Sequence, residues 1–247
     1  MGLPFDLDDG AAANAALGLI VLATDETMEP ELARILPPDG AALYHARIPS
    51  APTVTPETLA QMEADMPSTA ALLPDRLFDV IGYGCTSGAT VIGPEVVAGI
   101  IGGACQTKAV TDPLTATIAA CRALGVRRIG FLTPYVANVS AAMRAKLEEA
   151  GLEIAAFASF EEGEEHAVAR IAERSTLDAI TGLGRQDGIE AVFASCTNLR
   201  AFGIIEAAEA ALGVPVLSSN LALGWDMLRR AGLKPKPGLN AHLLGKL

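Results

Sequence analysis

Nowhere does the chain run to about 18 consecutive apolar residues, the length a helix needs to cross a membrane, so no span is expected. The opening MGLPFDLDDG is acidic and has no basic stretch leading into an apolar core, which argues against a secretory signal. It also lacks the Ser or Thr of a myristoylation site. Basic residues are few: 18 Lys and Arg stand against 29 Asp and Glu, for a net charge of −11. Binding nucleic acid takes a basic stripe, whereas here the cations are scattered or paired, as in Arg127–Arg128 and Arg229–Arg230. Neither nucleic acid nor a membrane is an expected partner. Only three histidines occur (His45, His166, His242), far apart and without HxxxH or CxxC spacing, so no metal site is expected. A glycine-rich phosphate loop is missing too, because GLGRQDG at 182–188 precedes a strand pattern instead of following one. Cys85, Cys105, Cys121 and Cys196 are read as reduced thiols of a cytoplasmic protein.

What the chain does have is a large apolar content, 51% of 247 residues, arranged as short runs between amphipathic stretches. Strands are expected at 17–23, 41–47, 78–84, 108–111, 128–133, 152–158, 190–195 and 214–217. Helices are expected at 27–36, 55–73, 88–101, 113–124, 136–150, 161–173, 199–212 and 219–231. Strongly apolar strands alternating with helices indicate an α/β protein with parallel sheets covered on both faces. Gly125 and Gly151, each just before a strand, fit helix ends.

A weak repeat organises these elements. FDVIGYGCTSG ends a strand in Cys-Thr, and IEAVFASCTNL does so again 111 residues later, from Cys85 to Cys196. LIVLATD and IGFLTPY, at 19–25 and 129–135, show nearly the same offset. Two similar α/β lobes follow, facing each other across a cleft. The expected division is 1–112 plus 216–247 for lobe one, carrying Cys85, and 113–215 for lobe two, carrying Cys196. Ligands of parallel sheets bind beyond the carboxyl ends of the strands, which puts the two cysteines on opposite walls of that cleft. A Cys at a strand-to-helix turn lies near free backbone N–H groups and the positive end of a helix, both of which favour thiolate. Thr86, Ser87, Thr197 and Asn198 add donors able to grip a carboxylate and a developing enediolate. Cys105 and Cys121 have no such setting and are read as structural.

GCTSG around Cys85, LTPY ending at Tyr135, SCTNLR around Cys196 and PVLSSNLALGW near the end together resemble the aspartate/glutamate racemase superfamily. The likeness is greatest to its maleate isomerase and arylmalonate decarboxylase branch. That resemblance implies two Rossmann-like lobes related by a pseudo-twofold, with the site between them, and a cofactor-independent isomerase of a small carboxylate that works as a homo-oligomer. In maleate isomerases the cysteine matching Cys85 attacks the alkene, the one matching Cys196 supplies a proton, and fumarate leaves after rotation. In the racemases one thiolate removes an α-proton and the opposite thiol returns one, so racemisation or epimerisation of an amino-acid-like acid is the alternative. A non-catalytic two-lobed binding protein is a further one, disfavoured by a thiol on each wall. Decarboxylases of the branch keep only the second cysteine, so Cys85 counts against simple decarboxylation. Tyr135 matches a carboxylate-binding tyrosine.

One position departs from the pattern. Maleate isomerases carry Asn where this chain has Asp25, and a second Asn corresponds to an acid at Glu164 or Glu165. Asp25 either caps the following helix or faces the substrate, where it would repel a dicarboxylate and attract a nitrogen cation. The LATD loop also resembles the ectoine-utilisation members, whose compounds carry nitrogen.

Overall fold

The structure is a computed structural model that describes residues 1–35, 40–237 and 240–247. It contains two four-stranded parallel sheets. The first is built from β1 (Ala15–Leu22), β2 (Ala41–Ile48), β3 (Val80–Gly84) and β4 (Val110–Thr111), in the order β2-β1-β3-β4. The second contains β5 (Arg128–Thr133), β6 (Glu153–Ser159), β7 (Ala191–Ala194) and β8 (Val216–Ser218), in the order β6-β5-β7-β8. The two orders are the same once the second set is renumbered, so the sequence repeat is a repeat of topology. All eight expected strands form. Each central strand is apolar because helices cover both its faces: β1 is buried at every position.

The helices are α1 (Met28–Leu32), α2 (Pro56–Ala70), α3 (Thr86–Ile92), α4 (Pro94–Ala104) and α5 (Pro113–Leu124) in the first half. The second half has α6 (Ala137–Glu149), α7 (Glu165–Val168), α8 (Glu173–Gly184), α9 (Ile205–Leu212) and α10 (Ser219–Ala231). Their ends follow local chemistry. Asp112 caps α5 by accepting from the Leu114 and Thr115 amides, Pro113 opens it, and Gly125 closes it in a left-handed conformation. The expected helix 88–101 is two helices, because Gly93 at φ +99° turns the chain between α3 and α4.

Two further expectations need correction. The helix expected over 161–173 is reduced to the single turn α7, because residues around it are drawn into backbone pairing across the lobes. The Val54 amide donates to the Gly163 carbonyl at 2.9 Å, and the Glu165 amide to Pro52 at 2.9 Å. The regular helix is instead α8, whose buried stripe of Thr176, Ile180 and Leu183 has helical spacing. The last residue of the expected helix 27–36 lies outside the described residues.

The segment 216–247 does not stay with lobe one as a unit. β8 pairs with β7 and belongs to the second sheet, and the His242 and Asn240 amides dock on Glu209 and Glu206 of α9. It is α10 that crosses, packing against α1, α5 and the first sheet. A Cβ on Gly224 would come within 2.1 Å of Ile35, so the missing side chain is what lets α10 approach α1. This crossing helix ties the lobes around shared buried side chains, among them Trp225, Leu221 and Leu228. Each such side chain is worth roughly 1.5–3 kcal/mol of burial. Among the described residues no single helix is long and apolar enough to cross a membrane, and no group of three His, Cys, Asp or Glu side chains is placed to hold a metal ion.

Candidate active site

The repeat places a cysteine at the end of β3 and another at the end of β7. Cys85 is the N-cap of α3, and its sulfur accepts from the Gly88 amide at 3.1 Å, with the Ser87 hydroxyl 3.6 Å away. Only glycine fits at 88: a Cβ there would lie 2.9 Å from the Cys85 sulfur and 2.7 Å from the Tyr83 hydroxyl. Cys196 sits in a sharper turn, at φ +110°, a conformation that costs a non-glycine residue about 1–3 kcal/mol. Its sulfur accepts from the Asn198 amide at 3.3 Å and lies 2.9 Å from the Tyr135 hydroxyl. Ser219 couples the two turns, accepting from the Cys196 amide at 3.0 Å and pairing with the Thr86 hydroxyl at 2.8 Å.

Three carboxylates surround this pair. Asp25 follows β1, and one of its oxygens caps the turn into α1, accepting from the Thr27 and Met28 amides at 2.8 Å each. The other oxygen, Oδ2, is buried without a hydrogen-bond partner. Asp25 is therefore both a cap and an inward-facing carboxylate. Glu165, not Glu164, is the second acid of the site. It is buried and accepts from Asn198 Nδ2 at 2.9 Å and, more loosely, from the Tyr135 hydroxyl at 3.5 Å. Glu164 instead accepts from the Thr53 hydroxyl at 2.6 Å, at the seam between the lobes. The third acid, Glu31, is one that the motifs do not single out. From α1 it accepts from the Ala201 and Phe202 amides and from Asn220 Nδ2, pinning the turn after Cys196. A signal for it exists: Met28, Glu31, Leu32 and Ile35 share one helical face, and all four are buried.

Local donors do favour the charged form, but burial outweighs them: the Cys85 thiol is pushed up to about 12, and that of Cys196 well above its usual value. Glu165 and Asp25 add to both shifts by charge repulsion. The same burial raises the Glu165 and Glu31 carboxyls to about 7, and Asp25 shifts upward as well. The resting site holds two neutral thiols beside Glu165 and Glu31, whose protonation is balanced near neutral pH, and beside an Asp25 shifted upward by burial.

The other expected residues divide by what their side chains already do. Asn198 is fully engaged, donating to Glu165 and accepting from the Glu26 amide at 2.9 Å, so it ties the lobes together. Thr86 is taken by Ser219, and the Thr197 hydroxyl points to the Gly84 carbonyl at 3.4 Å. The first-turn amides of Thr86 and Ser87, by contrast, have no intrahelical acceptor and remain available to an anion. Cys121 is buried in α5, and Cys105 donates to the Ala70 carbonyl at 3.1 Å. Cys105 lines a surface cavity of about 600 Å³, with Arg76 and Thr107, remote from the paired cysteines. Beside Glu165, Met62 and Thr53 lies a small cavity of about 10 Å³.

Residues 17–244 match the arylmalonate decarboxylase family model. Maleate isomerase of Nocardia farcinica is 26% identical over 226 residues, covering 88% of this chain and 90% of that protein. Arylmalonate decarboxylase of Bordetella bronchiseptica is 28% identical, covering 92% and 95%. Among solved structures, a cysteine-to-alanine variant of Pseudomonas putida S16 maleate isomerase with maleate superposes with TM-score 0.84 at 25% identity, covering 94% of this chain and 98% of that one. A cysteine-to-serine variant of the Nocardia farcinica maleate cis-trans isomerase, holding a covalently bound succinylcysteine intermediate, gives 0.83 at 25% identity, covering 93% and 98%. With two topologically equivalent sheets, a cysteine at the matching strand end of each and a family match spanning nearly its whole length, the chain belongs to the arylmalonate decarboxylase family.

Proposed function

We propose that the protein is a cofactor-independent two-cysteine isomerase of a small unsaturated carboxylate, acting in the manner of a maleate cis-trans isomerase. One observation carries this reading: Cys85 and Cys196 end equivalent strands of the two sheets and share Tyr135, Glu165 and Asp25 as close electrostatic neighbours. The succinylcysteine found in the Nocardia relative is the adduct that such a pair would form.

In this reading the Thr86 and Ser87 amides hold a substrate carboxylate beside Cys85, with Thr197 at the opposite wall. The Cys85 thiol gives its proton to solvent as substrate binds and takes one back when the product leaves. Its sulfur then forms a bond to one alkene carbon, and the alkene electron pair moves onto the adjoining carboxylate as an enediolate. Cys196 gives its proton to the neighbouring carbon, and its sulfur is left as a thiolate to which Tyr135 donates. The former double bond is now single and turns. Cys196 takes a proton back, the carbon–sulfur bond breaks and the trans alkene departs. No redox change occurs and no proton is consumed, so the scheme needs no cofactor. Four unpaired cysteines suit a reducing compartment, and we place the protein in the cytoplasm, working as a homo-oligomer.

The test is proton NMR of maleate with the purified protein, following loss of the cis-alkene signal and growth of that of fumarate. Cys196→Ser incubated with maleate is expected to gain one succinyl adduct at Cys85 by intact-mass analysis, and Cys85→Ala none. Turnover that survives both Cys85→Ala and Cys196→Ala would sink the scheme.

A further inference from the structure

We propose that the substrate bears a cationic nitrogen at the end opposite its reacting carboxylate, and that Asp25 and Glu165 hold this nitrogen between them. The proposal rests on the two-cysteine reading and narrows its substrate class to a zwitterion instead of a dicarboxylate.

The charges around the thiols are all of one sign. Asp25 and Glu165 face the site, and Glu31 stands close enough to Asp25 to feel its charge. Among the described residues no Lys, Arg or His donates a hydrogen bond to the side chain of any of the three. The charge of Arg47 reaches Asp25 and lowers its carboxyl slightly, but Arg47 donates to the main-chain oxygens of Leu22, Ala23 and Asp25 and is paired with Glu29. Arg170 is outside and paired with Glu26. A dicarboxylate entering here would find amides for one end, and for the other end acids where a cation or a neutral donor is needed.

Hydrogen bonding points the same way. Asp25 Oδ1 accepts from two amides, whereas Oδ2 is buried with no donor. Thr197, the neighbouring hydroxyl, has a single hydrogen to divide between Asp25 and the Gly84 carbonyl 3.4 Å away, so it cannot satisfy both. A buried acceptor with no partner is costly unless a ligand supplies one, and an ammonium or amidinium brings several N–H groups at once. Glu165 has one donor on each oxygen, from Tyr135 and Asn198, and keeps lone pairs free for a third.

The chemistry gains from the same arrangement. Burial keeps both thiols in the neutral form, Asp25 and Glu165 add to that by charge repulsion, and a second substrate carboxylate would add further. A bound cation between them offsets that repulsion and brings Cys85 toward thiolate only once substrate is present. The cation thereby serves as both the recognition element and the trigger.

Binding and turnover test this separately. In thermal unfolding, 4-aminobutanoate (a saturated zwitterion) is expected to raise Tm at concentrations where succinate has no effect. In proton NMR, (Z)-4-aminobut-2-enoate is expected to be isomerised with kcat/KM at least about tenfold above that of maleate, given the cost of like charges at a buried contact. Asp25→Asn with Glu165→Gln should reverse both preferences. Asp25→Asn retains a side-chain oxygen able to cap α1, and Glu165→Gln alone provides the same comparison should the double variant fail to fold. The proposal is overturned if succinate is the stronger stabiliser, if neither compound raises Tm, or if the carboxamide variants leave the preference unchanged. Preference for maleate with full turnover overturns the substrate class and leaves the two-cysteine reaction standing. Site-dependent stabilisation by 4-aminobutanoate with neither alkene converted does the reverse.

Discussion

The Tyr135 hydroxyl lies 2.9 Å from the Cys196 sulfur, both groups being buried, and on its other side it reaches Glu165 at 3.5 Å. A phenol in that position donates to the sulfur when it is a thiolate and loses little when it is a thiol. In the proposed reaction its contribution is therefore largest at the moment Cys196 has given up its proton. Tyr135→Phe keeps the ring and its packing but removes that donor. The expected outcome is a fall in kcat of about 100-fold, the scale for loss of one pre-positioned donor, with little change in KM. Steady-state kinetics with circular dichroism as a folding control would check it. A KM rise at unchanged kcat would show instead that Tyr135 only binds substrate.

Gly88 is the tightest point beside Cys85. A methyl group there would press on the Cys85 sulfur, the Tyr83 hydroxyl and Met62 Cε, at 2.9, 2.7 and 3.0 Å. Alanine suits a helix better than glycine by nearly 1 kcal/mol, so propensity alone predicts a more stable protein. Sterics win here, because α3 is buried and the displaced atoms belong to a packed wall. Gly88→Ala is expected to lower stability by about 1–3 kcal/mol and to shift the nucleophile enough to remove most activity. Urea unfolding and turnover measured together decide it. A Gly88→Ala protein as active as the parent would show that the wall yields.

How much of the molecule is legible in its sequence depends on whether the cause lies within one segment. Cys85 and Cys196 stand out because each closes an apolar strand with the same dipeptide, and the repeat of strands makes the spacing meaningful. Tyr135 is marked by LTPY. Asp25 reads ambiguously because its two oxygens have different tasks, one capping α1 and one facing the cysteines. The choice between Glu164 and Glu165 turns on a bridge between lobes, Thr53 with Glu164, which no single-segment pattern contains. The charge state of the thiols escapes a local reading for the same reason. The turn amides that favour thiolate are local, whereas the burial that outweighs them comes from the opposite lobe and from α10.

The Cys196 backbone carries a strain that its neighbours must hold in place. Glycine at this position would relax φ +110°, and alanine would keep it while losing the sulfur. Cys196→Gly is therefore expected to be more stable than Cys196→Ala by about 1 kcal/mol, despite glycine's greater freedom in the unfolded chain. Both variants should be inactive. Chemical denaturation of the pair is the measurement, and equal or reversed stabilities would mean the turn is not strained.

Stability should also depend on pH in a direction opposite to that of ordinary acid unfolding. Burial raises the Glu31 and Glu165 carboxyls from the usual 4.5 to about 7. Between those values the folded protein holds protons that the unfolded chain releases, so stability falls as pH rises. Their contribution is complete below about pH 4.5 and lost once pH passes about 7. For each group the span is worth roughly 3 kcal/mol at most, and less for two acids that share a neighbour in Asp25. His45 works the other way, since partial burial lowers its value and favours the neutral folded form as pH rises. Being half buried, it weighs less than two fully buried acids. Urea midpoints at about pH 5 and about pH 8 should therefore show the protein less stable at the higher value. Glu31→Gln and Glu165→Gln should each flatten that slope, because an amide has no proton to release. A wild-type midpoint that rises between the two pH values would mean these carboxyls are already ionised in the folded protein, stabilised by the donors that face them.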